Sequence, residues 1–92
     1  MLKSSQGGNS MPEISRFGGI IITMYYQDHI PPHFHVEYNG IEAIYDLEER
    51  AFTKGAIPSR QARFVLAWAE MHINELLEMW NTQKFRKIQP LF

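Results

Sequence analysis

Ninety-two residues with nine Lys/Arg, ten Asp/Glu and no cysteine make one domain of ordinary globular composition. The lack of cysteine excludes a disulfide framework and a thiolate zinc site, so a metal here would need histidine and carboxylate ligands. A formal net charge of −1 gives no global pull toward nucleic acid, and the longest apolar run, around Ile20–Ile22, is far too short to span a membrane.

Residues 1–10, MLKSSQGGNS, are polar and Gly/Ser-rich and lack the apolar stretch of a signal peptide. They are expected to form a disordered N-terminal extension, with residues 11–92 as a single domain and a cytoplasmic location. Glu13 to Phe17 reads as a lead-in anchored by Ile14 and Phe17. Gly19 to Tyr26, GIIITMYY, is β-branched and aromatic and predicts the first strand. Both of its faces are apolar, which is unusual for a sheet with one side open to water. Gln27 to Pro32 is a loop, closed by a Pro-Pro pair that lacks backbone donors.

The clearest pattern runs from His33 to Asp46. Phe34, Val36 and Tyr38 alternate with His33, His35 and Glu37, and Asn39-Gly40 is the residue pair a type I′ hairpin turn demands. That turn sets Tyr38 against Ile41, Val36 against Ala43 and Phe34 against Tyr45 on one face. On the other it sets Glu37 against Glu42, His35 against Ile44 and His33 against Asp46. Ala51 to Lys54 predicts a short fourth strand. One long helix then follows to Asn81, opened by Pro58 in its first turn or by Ser59 as N-cap. Its apolar stripe is Ala62, Leu66, Ala69, Ile73, Leu76 and Trp80, widened by Val65, Trp68, Leu77 and Met79. An extended tail carries Phe85, Ile88 and Leu91 as docking points. The fold class is α+β: a three- to four-stranded antiparallel meander packed against one long C-terminal helix.

His33 and His35 share a strand face, where their imidazoles can converge on a divalent metal with Asp46 as third ligand. Glu37 and the loop residue His29 are candidates to complete such a cluster. The plainer reading is a solvated face on which His33 bonds to Asp46. Arg50, Lys54, Arg60 and Arg63 form a basic block that could contact phosphates, although the hairpin before it is acidic and no second recognition helix follows. Ile21, Tyr25 and Ile44 lie among the histidines and carboxylates on the uncovered sheet face, a mixed patch suited to a protein partner. His72 reads as a boundary residue of the helix.

Three stretches carry a family likeness: MPEISRFGGIIITMYY, DHIPPHFHVEY and AWAEMHINELLEMW, with RKIQPL near the end. From Met11 to about Leu91 the chain resembles the small bacterial proteins of the domain-of-unknown-function family DUF4160. Ala67 stands where that family more often has Glu. The resemblance implies no established activity, and it implies a place in two-gene, toxin–antitoxin-like modules beside a second small protein. The expected function is therefore a small intracellular interaction module whose partner is a small protein or a second copy. The alternative is a metal-dependent hydrolase or nuclease using His33, His35 and Asp46.

Overall fold

A computed structural model describes residues 12–92; the predicted extension, residues 1–10, lies outside them. The elements are β1 (Glu13–Phe17), β2 (Ile20–Thr23), β3 (His33–Tyr38), β4 (Ile41–Asp46), β5 (Ala51–Gly55), α1 (Ser59–Met71) and α2 (Ile73–Thr82). The strands form one antiparallel meander in chain order, with both helices after it. The α+β class holds, but the sheet has five strands rather than three or four, and the expected single helix is two.

The extra strand is the lead-in. Glu13–Phe17 and Ile20–Thr23 flank Gly18-Gly19, whose φ values of 58° and 79° are those of a tight hairpin turn that residues with a side chain adopt reluctantly. The first strand of the sequence reading ends at Thr23 rather than Tyr26. Beyond it Tyr25 stacks on His35 at 4.1 Å and Tyr26 on Phe85 at 4.4 Å, ring centre to ring centre.

The β3–β4 hairpin has the expected register throughout, from His33 opposite Asp46 to Tyr38 opposite Ile41. Asn39 and Gly40 both take positive φ, 51° and 78°, as the turn requires. Between β4 and β5 the Asp46 carboxylate organises the turn. Its Oδ1 accepts the backbone N–H groups of Glu48 at 2.7 Å and Glu49 at 2.8 Å. At the far end of β5, Gly55 has φ of 70°, and a Cβ there would collide with the carbonyl of Glu42.

The helices lie on the Phe34/Val36 side. Phe34 stacks on Tyr45 with ring centres 4.9 Å apart and meets Trp68 edge-on at 5.6 Å, while Trp68 also packs on Phe17. Ile14, Ile20, Ile22, Met24, Val65 and Leu76 complete a fully buried core. Burying each such side chain is worth about 1.5–3 kcal/mol, which makes this face the main source of stability. Of the expected helical stripe, Val65, Trp68, Ala69, Leu76, Met79 and Trp80 are buried, whereas Leu66 is exposed. Ser59 is the first helical residue, and Pro58, just outside, accepts the Ala62 N–H on its carbonyl at 2.9 Å.

The helix breaks at His72, whose φ of −120° and ψ of 19° leave the helical range. Its Nδ1 lies 2.7 Å from the Glu75 carboxylate, three residues on. After α2 the tail docks as expected. The Ile88 N–H bonds to the Ile14 carbonyl at 2.8 Å, and the Trp68 indole N–H bonds to the Gln89 carbonyl at 2.9 Å. Those contacts cover the β1 edge of the sheet.

Candidate metal centre

The loop between β2 and β3 folds back over the start of β3. The Gln27 N–H bonds to the Gln83 side chain at 2.7 Å, and the Leu47 N–H bonds to the Pro32 carbonyl at 2.9 Å, tying the loop to α2 and to β4. Asp28 is thereby held above the two β3 histidines. Its Oδ2 lies 2.8 Å from His33 Nε2 and 2.9 Å from His35 Nε2, so both rings address one oxygen. Its Oδ1 accepts the backbone N–H of His29 at 2.8 Å. The three donor atoms all lie within 4.8 Å of one another, close enough to share one ion.

Ring orientations are fixed from outside the cluster. His33 Nδ1 lies 2.8 Å from the Pro31 carbonyl, and its ring packs 5.1 Å from that of Trp80. His35 is held by the parallel ring of Tyr25. His33 is not on an open solvated face as the plainer sequence reading had it; the loop and Trp80 leave it only 9% exposed. Burial pushes the Asp28 carboxyl up, but the hydrogen bonds from His35, the His29 N–H and His33 outweigh it and hold the group below the ordinary carboxylate range. Burial, with Glu42 and Asp28 nearby, pushes the Tyr25 phenol up.

The Pro31 carbonyl can only accept, so His33 Nδ1 carries a proton. An ionised Asp28 can also only accept. The ring must then carry a second proton on Nε2, or else direct the Nε2 lone pair at a cation that Asp28 shares. The second arrangement is that of metal-binding histidines, whose far nitrogen is fixed by a carbonyl or carboxylate.

Of the sequence candidates, His33 and His35 come together, while the carboxylate that meets them is Asp28 rather than Asp46. Asp46 is buried and opposite His33, but its Oδ1 serves the β4–β5 turn. Glu37 is exposed and faces Glu42. His29 is exposed; its backbone, not its ring, joins the cluster. Asp28 had a sequence signal, a carboxylate just before a Pro-Pro loop that must turn back onto the strand. The return of a loop over a sheet is a tertiary contact, and strand periodicity carries no information about it.

A cavity of about 470 Å³ opens beside the cluster, lined by Asp28, His29, Ile30, His33, His35, Ile44, Asp46 and Lys54 among others. Of the basic candidates only Lys54 lines it. Arg50 pairs with Glu70 at 3.1 Å, Arg60 sits over the Phe64 ring, and Arg63 is exposed on α1. Ile21, Tyr25 and Ile44 are half-buried on the sheet side away from the helices.

Together these features define a small α+β domain, an antiparallel meander with helices packed on its Phe34/Val36 side and a His-His-Asp cluster built from β3 and the β2–β3 loop, where His33 also meets Trp80 of α2. A family model described as "Domain of unknown function (DUF4160)" matches residues 19–81, from β2 through most of α2 and including all three cluster residues. The chain belongs to that family. Comparison with curated proteins and with solved structures found no match. Among the described residues no helix is long and apolar enough to cross a membrane.

Proposed function

We propose that this chain is a divalent-metal-binding domain in which Asp28, His33 and His35 hold the ion at the wall of the cavity. The observation that carries the reading is the His33 ring, whose Nδ1 faces a carbonyl while Nε2 faces the carboxylate oxygen that His35 also addresses. Two imidazoles and one carboxylate form a three-ligand set of the catalytic zinc or non-haem iron type, which leaves positions open for water or substrate. Bound there, an ion would lower the pKa of a coordinated water and polarise an oxygen of a substrate, the chemistry of a metal-dependent hydrolase.

Elemental analysis and metal-dependent thermal stability test this reading. Zinc, manganese or cobalt at a hundredfold excess over its Kd should stabilise the protein by about 2.7 kcal/mol. Asp28→Asn, which keeps the shape and removes the charge, should abolish that gain. A protein that purifies without metal and whose melting temperature none of the three ions moves would sink the proposal.

A second reading, an interaction module of a toxin–antitoxin-like pair, draws support from Ile21, Tyr25 and Ile44 on the uncovered sheet face. Ile44→Asp should then abolish capture of a co-expressed gene-neighbour protein or self-association by light scattering, with the fold retained by circular dichroism. Unchanged association in that variant would rule this surface out.

A further inference from the structure

The cavity beside the cluster has two chemically different ends. His35 pairs with Ile44 across β3 and β4, and Ile44 pairs with Lys54 across β4 and β5. The three residues therefore form one row across the sheet. With neighbouring strands about 4.8 Å apart, the Cα atoms of His35 and Lys54 stand roughly 10 Å from each other. Lysine's flexible stem can carry its ammonium across much of that distance. Lys54 is exposed and makes no salt bridge among the described residues. A smaller cavity of about 250 Å³ adjoins the first and shares His35, Ile44 and Lys54 with it, so the row lies where the two cavities meet.

The charges lining the larger cavity decide what it can hold. Asp28 and Asp46 are acidic, and Lys54 is its one fixed cation. Without a metal the wall is net acidic and disfavours anions. A divalent ion on Asp28, His33 and His35 reverses that sign in the larger cavity, which Glu42 of the smaller one does not line, and adds a Lewis-acidic position facing Lys54 across the Ile44 side chain.

We infer that the cavity takes a small molecule bearing an oxyanion, a phosphate ester or a carboxylate. One oxygen binds the ion held by Asp28, His33 and His35, another accepts from the Lys54 ammonium, and the apolar part of the molecule rests on Ile44. The inference rests on the metal reading above and adds to it the substrate class and the role of Lys54. It also makes binding conditional: the oxyanion binds the metal-loaded protein only, and by linkage it tightens metal binding by the same factor.

The test uses the whole chain loaded with cobalt, whose visible absorption reports changes at its open positions. Titration with inorganic phosphate and, separately, with acetate should produce a saturable spectral change. Saturation by phosphate alone assigns phosphate esters, and saturation by acetate alone assigns carboxylates; either supports the inference. Lys54→Gln should weaken the oxyanion about tenfold, the loss expected for one charge-assisted hydrogen bond, with cobalt affinity and melting temperature unchanged. Lys54→Arg should restore most of it. Metal-free protein should bind neither anion by equilibrium dialysis. Cobalt uptake with a spectrum that neither anion alters, or Lys54→Gln titrating like the parent, overturns the oxyanion site and leaves the metal centre standing. Failure to take up cobalt overturns both.

Discussion

The two sides of β3 were built for different tasks. Phe34 and Val36 meet Tyr45, Trp68 and the rest of a buried core, where contacts are mainly apolar and shape decides the fit. His33 and His35, one residue away on the same strand, meet a carboxylate, a carbonyl and a tyrosine ring in fixed directions. Three ring nitrogens have partners there: His33 Nδ1 and Nε2, and His35 Nε2. The first side supplies most of the stabilising burial, and the second gathers the polar groups of the cluster.

The largest expected effect is on the core side. Phe34→Ala removes a fully buried ring from between Tyr45 and Trp68 and should cost about 3–5 kcal/mol, read as a drop in denaturant midpoint with or without metal. A midpoint within error of the parent would show that the stacked aromatics do not carry the fold. On the histidine side Asp28→Asn should cost only about 1 kcal/mol in metal-free protein. Its main signature is the lost response to added zinc, so the two substitutions separate fold from ligand.

The smallest effect sharpens the contrast, because the helix side also holds a histidine–carboxylate pair. His72 and Glu75 bond at 2.7 Å, but their third neighbour is the Arg86 guanidinium at 2.8 Å from Glu75, a cation where a metal site needs a ligand. The His72 bond, then Arg86, hold the Glu75 carboxyl below its ordinary range. Its folded pKa lies below the unfolded one. The stabilisation is therefore complete above about pH 4.5 and is lost as the pH falls through the depressed value. Glu75 is more than a third exposed, so Glu75→Gln should cost less than about 0.5 kcal/mol at pH 7 and nothing at pH 2, without altering metal uptake. A larger loss, or one that grows in acid, would contradict this assignment.

Much of the fold is legible in the residues. Alternation in HFHVEY and the Asn39-Gly40 turn specify the central hairpin down to its register, because a slip of one residue would bury the histidines and expose Phe34 and Val36. Gly18-Gly19 carried an equally good turn signal between EISRF and IIIT, and reading it would have supplied β1. The break at His72 had a weaker signal. Position 72 has neither proline nor glycine, and only the acid Glu75 in the first turn after it fits a new helix start. For the site, strand period placed both histidines correctly on one face. It placed Asp46 opposite His33 as well, but not the competing demand of the Glu48 and Glu49 N–H groups for that carboxylate. Asp28 arrives through a loop whose path is set by Gln83 and Leu47, residues distant in sequence.

The docked tail has a practical consequence. Ile88 is bonded to Ile14, and the last residue, Phe92, packs its ring 5.9 Å from that of Phe17, so the chain's end returns to its first strand. Strand β1 lies at one margin of the sheet and Lys54 at the other, with three strands between. A fusion partner, fluorophore or surface linker attached after Phe92 therefore emerges on the margin remote from the cavity.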